Sequence, residues 1–341
     1  MKTTPAWILW FFTILIFLLS TRNPSYILFI IIGLFFVSFR LFKQKGRDNW
    51  IKQNLIFLSS IILASSAINS LFTHSGRTIL FSFPQSWPLI GGIVTLESLV
   101  YGAINGLIIS ALFLLFNVLN LALSIKQLTR LIPRAFYPIA MIVTISLTFF
   151  PSINQRIREI REAQMIRGNP MKKISDWLPV LAPLLVSSLE KGLILSESMT
   201  SRGFFTSKPS HKTTFPVITM IIGAFSIFSG WILSLYSYSA YIYLPLYILG
   251  VTMIFLMLNR LGKAVKTTRY HQEELRKYDM LAIVIIILVI LFLSLVSIYG
   301  NLTSLNYTPY PSLVFPNIEL APFLIPLLTL LPIMLNHHDK N

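Results

Sequence analysis

Two short basic motifs are the residues of this chain best suited to chemistry: AQMIRG at residues 163–168 and SMTSRG at residues 198–203. Each is a small residue, three further residues and an Arg-Gly pair, and Arg167 and Arg202 lie 35 positions apart. A guanidinium presents five N–H donors in a planar fork, which suits carboxylate and carbonyl oxygens of a partner. Arg in a last helical turn also suits the helix dipole, and the following Gly is a common helix stop. The motifs therefore predict two basic helix ends, and their duplication favours docking onto a partner over simple capping.

The segments before the two motifs have the pattern of amphipathic helices. SINQ at residues 152–155 follows Pro151 and resembles a capping box, which predicts a helix of about 16 residues ending at the first Arg-Gly pair. Ser175-Asp176 is a second helix start signal, and Pro179 and Pro183 are expected to interrupt the segment after it before a helix leads to the second pair. The predicted apolar faces consist of Ile153, Ile157, Ile160 and Ala163, and of Leu185, Leu189, Leu193 and Met199.

The composition places these helices in an integral membrane protein. Of the 341 residues, 55% are hydrophobic and 12% are charged, whereas soluble domains have roughly 25% charged residues. The net charge of +16 lies in short loops between apolar segments, so it indicates the cytoplasmic side of a membrane rather than nucleic acid. With 0 cysteines, the chain has no disulfide, no thiolate metal site and no cysteine nucleophile.

The apolar segments predict an all-α helical transmembrane bundle. A span needs about 20 residues. Candidate spans are residues 6–20, 25–42, 54–72, 97–123, 215–237, 241–258, 279–299 and 318–336. The apolar run 136–150 is too short for a comfortable span, and we expect it to form a separate helix in the membrane plane.

The distribution of positive charge predicts the topology. With a cytoplasmic N-terminus and a segment 136–150 that does not cross, every Lys and Arg except Arg22 and Arg77 faces the cytoplasm. If segment 136–150 crossed, every later loop would invert and the bias would be lost. We therefore expect both Arg-Gly motifs on the cytoplasmic side of a multi-pass protein in a prokaryotic cell membrane.

Around the motifs the chain resembles the transmembrane T component of energy-coupling factor (ECF) transporters, the EcfT/CbiQ family. The resemblance is carried by LTFFP at residues 147–151, by the stretch 181–189 before the second motif, and by the basic stretch 263–277 followed by Asp279. It covers residues 136–206 most clearly, and residues 76–80 resemble a glycine-containing outer loop of the family. The chain departs from the usual Ala-Arg-Gly of the family, because Ile166 and Ser201 precede the two arginines.

The resemblance implies a scaffold whose two coupling helices dock onto two ABC-type ATPases and which works with a small membrane S component. The implied ATPase-docking residues are Ala163, Arg167, Gly168, Ser198, Arg202 and Gly203. It divides the chain into N-terminal transmembrane helices (1–135), a cytoplasmic coupling module (136–214) and C-terminal transmembrane helices (215–341). The substrate would be a vitamin or a transition-metal ion such as cobalt or nickel, and it would be chosen by the S component.

The remaining residues indicate that the chain is not an enzyme and has no catalytic, cofactor or metal site of its own. The trace Gly262-Lys263-Ala264 lacks the glycines of a phosphate-binding loop, so ATP is expected on partner subunits only. Glu97 and Glu319 lie at span starts, where we expect them to be solvated, and His337 and His338 lie in the C-terminal tail. Two alternatives stay open: a conventional ABC permease that binds substrate itself, suggested faintly by Glu162-Ala163, and an ATP-independent carrier or membrane enzyme.

Overall fold

The computed structural model describes residues 3–43, 50–84, 92–168, 177–203, 214–236, 239–264, 277–299 and 303–336. The predicted all-α membrane fold is confirmed. The helices are α1 (Thr4–Ser20), α2 (Pro24–Lys43), α3 (Trp50–Phe72), α4 (Leu96–Ala122), α5 (Ile125–Thr129), α6 (Tyr137–Ile166), α7 (Leu178–Ser201), α8 (Thr214–Leu235), α9 (Ala240–Ala264), α10 (Lys277–Tyr299), α11 (Leu320–Leu328) and α12 (Leu331–Asn336). Strands β1 (Ile79–Ser82) and β2 (Ile93–Thr95) form one antiparallel hairpin.

Seven helices in the described part of the chain, α2, α3, α4, α6, α7, α8 and α9, are long and apolar enough to cross a membrane. Helix α1 is shorter, with 17 residues. The first seven predicted spans each coincide with one helix to within a few residues. The predicted start of the second amphipathic helix at Ser175-Asp176, the tail histidines and most of the basic stretch 263–277 lie outside the described residues.

The chain divides into two compact units, one of residues 1–128 with 271–341 and one of residues 129–270. The core of the first unit is built from α1, α2, α4, α10 and α11. Its largest fully buried side chains include Trp10, Tyr26, Leu34, Leu114 and Ile286. In the second unit α8 and α9 pack as a tight antiparallel hairpin, where a Cβ on Gly250 would lie 2.7 Å from the carbonyl oxygen of Gly223. Such small residues let membrane helices approach closely.

The expected single span 318–336 is wrong, because the segment is broken into α11 and α12. Pro332 has no N–H, so the carbonyl of Leu328 four residues earlier lacks its helical donor. The indole Nε1–H of Trp10, which is fully buried, donates to this oxygen instead at 2.8 Å. Thr329 Oγ1 also turns back to the carbonyl of Pro326 at 2.6 Å, so both polar groups at the break are satisfied within the first unit.

The expectation of two helices separated at Pro151 is also wrong, because α6 runs without interruption from Tyr137 to Ile166 with Pro151 inside it. Ser152 does not act as a cap; its hydroxyl donates to the carbonyl of Phe149 at 2.9 Å. Pro183 likewise lies within α7 and does not break it, while Pro179 occupies the first turn, where proline has no N–H to lose. By length and composition α6 is also suited to crossing a membrane. The in-plane course of residues 136–150 is therefore not tested and stays a prediction.

Glu97 is not solvated as expected but 1% exposed, in the first turn of α4. Its carboxylate accepts hydrogen bonds from the backbone N–H groups of Arg77 at 3.2 Å and Thr78 at 3.1 Å. The loop before β1 folds over it with Gly76 at φ +137°, where a side chain would meet the carboxylate. The acidic residue therefore joins a loop to the end of a helix.

Candidate functional site

The first Arg-Gly motif forms the C-terminal end of α6, as predicted. Arg167 is the last, half-helical residue with ψ near 5°, and its N–H donates to the carbonyl of Ala163 at 3.3 Å. Gly168 follows with φ +84°, and its N–H donates to Met165 at 3.0 Å. Positive φ favours glycine, so this residue explains why the helix stops here. Ala163 is exposed one turn before the arginine.

The second motif forms the end of α7 with nearly the same backbone conformation. Arg202 again has ψ near 5°, and Gly203 has φ +75° and donates its N–H to Thr200 at 2.9 Å. Ser198 is half-buried, and its hydroxyl donates to the carbonyl of Leu195 at 2.8 Å. The prediction that both helices end at an Arg-Gly pair is confirmed.

The two arginine side chains are exposed and accessible to a partner. Among the described residues, neither the guanidinium of Arg167 nor that of Arg202 has a hydrogen bond or ion pair. An arginine that only capped its own helix would donate to the last free carbonyls, and these two do not. Beside Arg167, Ile166 is 88% exposed, so the first end combines an apolar side chain with five free donors, whereas the second has Ser201 at that position.

Both helices line a shared cleft of about 450 Å³ in the second unit. It is lined by Thr148, Phe149 and Ser152 of α6 and by Lys191, Ile194, Leu195 and Ser198 of α7. Hydroxyl-bearing residues are small enough to let two membrane helices approach at this point. Sequence patterns missed the cleft, because Ser152 was assigned to a cap and no local pattern shows that α6 and α7 lie side by side.

The apolar faces of the two helices differ from the prediction in part. On α6 the side chains of Ile153, Ile157 and Ile160 are half-buried, as expected, whereas Ala163 is exposed. On α7 the side chains of Leu185, Leu189 and Leu193 are 63–68% exposed rather than packed on the body of the protein. The shielded face of α7 instead includes Val180, Leu184, Ser187, Lys191 and Leu195. The leucine stripe is thus an uncovered surface of the chain.

The described residues contain no group of three or more His, Cys, Asp or Glu side chains placed to hold a metal ion. Gly262 lies inside helix α9, where a Cβ would be 3.3 Å from that of Arg134, and not in a loop that could wrap a phosphate. The predicted docking arginines, Arg167 and Arg202, are exposed at the two helix ends.

The fold and the two helix ends define a class of protein: a multi-pass helical membrane protein that presents a pair of free cationic helix ends. A family model described as cobalt transport protein (CbiQ) matches residues 2–215. This match covers more than half of the chain, which therefore belongs to the CbiQ/EcfT family of transmembrane components of ECF transporters. Most of α8 and helices α9–α12 lie beyond the matched residues.

Curated relatives agree with this family. The energy-coupling factor transporter transmembrane protein EcfT of Clostridium kluyveri is 26% identical over 175 residues, which are 47% of this chain and 63% of that protein. The EcfT of Bacillus selenitireducens is 25% identical over 205 residues, covering 57% and 74%. The EcfT of Bacillus subtilis is 28% identical over 156 residues, covering 42% and 58%. The chain thus spans less than two thirds of the length of the first and third of these relatives.

Proposed function

We propose that this T component transmits force from two ABC-type ATPase subunits to a membrane-embedded S component, and that Arg167 and Arg202 are the contacts through which it receives that force. The observation that carries the proposal is the matched pair of helix ends. Both have the same backbone conformation, and both hold an exposed guanidinium without a partner among the described residues. Carboxylates or carbonyls in a groove of each ATPase would accept the donors.

In this proposal ATP binding and hydrolysis take place on the partner subunits, and the chain itself catalyses nothing. Closure of the ATPase pair moves the ends of α6 and α7, which act on the S component and lead it to release its substrate inward. The S component captures a vitamin or a transition-metal ion such as cobalt or nickel. The family model is named for cobalt transport, whereas the names of the EcfT relatives specify no substrate.

The proposal places the N-terminus and both helix ends in the cytoplasm. Its support is the charge distribution of the sequence, in which Arg22 and Arg77 are the exceptions to a cytoplasmic location. Labelling of single-cysteine variants at Gly168 and at the exposed Ser312, which follows the predicted span 279–299, with a membrane-impermeant maleimide tests this orientation in intact cells. Labelling at residue 168 and protection at residue 312 would refute it.

The test of docking is the double variant Arg167→Glu/Arg202→Glu in the full chain co-expressed with the ATPases and S component of its transporter. We expect the ATPases to be lost from the detergent-purified complex and ATP-dependent uptake to fall to background, because both contacts become repulsive. The matched control is Arg158→Glu/Arg161→Glu, which makes the same change of charge at exposed positions of α6 and should keep the complex. ATPases retained by the first variant at wild-type levels would refute the assignment of these arginines.

The same purification separates the alternative functions. A conventional permease would bind substrate without an S component, and a carrier or enzyme would transport or convert substrate without ATPases. Two equivalent helix ends in one chain favour the T component over a conventional permease, which normally presents one such helix.

A further inference from the structure

The hairpin of β1 and β2, which connects α3 to α4, is apolar on both faces. Ile79, Leu80 and Phe81 of β1 are 61%, 50% and 52% exposed, and Ile93 of β2 is 41% exposed. Successive residues of a strand point to opposite faces, so Leu80 and Phe81 present apolar side chains in both directions. A hairpin that docked on one protein surface would bury one face and keep the other polar. Val94 of β2, which lies opposite Phe81, is 1% exposed and therefore covered. The side chains of β1 on both faces stay exposed among the described residues.

The hairpin is held firmly to the end of α4. The buried carboxylate of Glu97 binds the N–H groups of Arg77 and Thr78 just before β1. Thr95 Oγ1 donates to the carbonyl of Ser75 at 2.6 Å, which fixes the end of β2 to the same loop. A second contact joins the ring of His74 to the carbonyl of Ile93 at 3.2 Å. The apolar side chains are therefore presented on a fixed support at the end of two membrane helices.

The position of the hairpin in the chain places it at the membrane boundary. Six residues separate β1 from the end of α3 at Phe72, which is 59% exposed, and β2 passes directly into α4 at Leu96. Its exposed apolar side chains thus follow directly on those of these two candidate membrane spans. The exposed guanidinium of Arg77 at its base can donate hydrogen bonds to lipid phosphate groups.

The hairpin cannot lie within the hydrocarbon, because open strand edges leave backbone groups that need water. The polar layer on each side of the bilayer is about 5–7 Å thick, and β1 with four residues is roughly 13 Å long. A hairpin lying in this layer keeps its backbone hydrated while its side chains reach the upper acyl chains.

We propose that the β1–β2 hairpin is a lipid anchor: Ile79, Leu80 and Phe81 insert into the acyl-chain boundary of the leaflet at this end of α3 and α4. Through the Glu97 contacts the anchor fixes the depth of α3 and α4 in the bilayer. This role is independent of ATPase docking and extends the function of the chain to direct recognition of a lipid surface.

The experiment uses the natural absence of cysteine. The full-length variants Leu80→Cys and Phe81→Cys, one on each face of the strand, are labelled with an environment-sensitive fluorophore. They are reconstituted into vesicles of phosphatidylcholine and phosphatidylglycerol. We expect both labels to be quenched more strongly by a nitroxide near the carbonyl end of the lipid chain than by one near its terminus, and to be protected from iodide.

Two reference variants calibrate the result. Leu63→Cys, at a 69% exposed site in the middle of α3, should show the opposite order, with stronger quenching by the deep nitroxide. Gln155→Cys, on the exposed polar side of α6, should be quenched by iodide. Labels at residues 80 and 81 that are quenched by iodide but by neither of the two nitroxide-labelled lipids would place the hairpin in water and overturn the proposal. Labels protected from all quenchers, or quenching of one face only, would indicate cover by protein and overturn it equally.

Discussion

The hydrogen bond from Trp10 to the break between α11 and α12 predicts a large effect of a small substitution. In Trp10→Phe the side chain stays aromatic, but the carbonyl of Leu328 loses its donor in a fully buried place. A buried acceptor left without a partner costs about 1–3 kcal/mol, and the smaller ring leaves a void beside Trp7, whose ring lies 5.4 Å away. We expect the free energy of unfolding of the first unit to fall by about 2–4 kcal/mol.

The cause can be isolated with a second substitution. Pro332→Ala supplies an N–H four residues after Leu328, so it offers the orphaned carbonyl a helical donor. The midpoint of thermal unfolding of the detergent-purified full chain is measured for the wild type, the two single variants and the double variant. We expect the alanine to offset part of the loss in Trp10→Phe. A midpoint of Trp10→Phe equal to that of the wild type, or strictly additive effects, would refute this account of the break.

Three further substitutions test other contacts. Gly76→Ala should free the hairpin from its contact with the Glu97 carboxylate, because φ is +137° and the new Cβ would lie 2.5 Å from that carboxylate. Iodide quenching of a label at residue 80 should then increase. Unchanged quenching would contradict the anchoring contact. Gly250→Val should lower the thermal midpoint by separating α8 from α9, whereas Gly192→Ala, with open space around its Cβ, should raise helix stability by about 0.5–1 kcal/mol. Tyr310→Phe should leave the midpoint at pH 7 unchanged or higher, since the buried hydroxyl has no hydrogen-bond partner among the described residues. Burial raises the pKa of Tyr310, so the wild type should lose stability as pH rises above about 10 and the variant should lose less; equal loss would be evidence against this burial.

The sequence predicted the features that depend on neighbouring residues. The Arg-Gly pairs define the ends of α6 and α7, because a glycine with positive φ stops a helix without help from distant residues. The long apolar runs predicted the spans, because length and hydropathy are likewise properties of neighbouring residues. The prediction of a helix break at Pro151 was wrong, because a helix of 30 residues keeps its other hydrogen bonds and tolerates the one that the proline nitrogen cannot donate.

The features that the sequence did not predict depend on residues far apart in the chain. Trp10 and Leu328 are 318 positions apart, and no local pattern shows that an indole completes a carbonyl left open by a proline. Glu97 was expected in solvent, because nothing next to it in the sequence covers a carboxylate. Its burial depends on the folded loop at residues 76–78, whose N–H groups donate to the carboxylate. The cleft between α6 and α7 was not predicted either, because it depends on how two separate helices pack against each other.

The uninterrupted course of α6 through Pro151 gives the two helix ends unequal reach. From Ser152 in the shared cleft to Arg167 there are 15 residues, or about 22 Å of helix, while from Ser198 to Arg202 there are four residues, or about 6 Å. A rotation of equal angle about the cleft would therefore carry the first arginine farther than the second. The end of α6 would thus make the larger movement, whereas the end of α7 would stay closer to its original position.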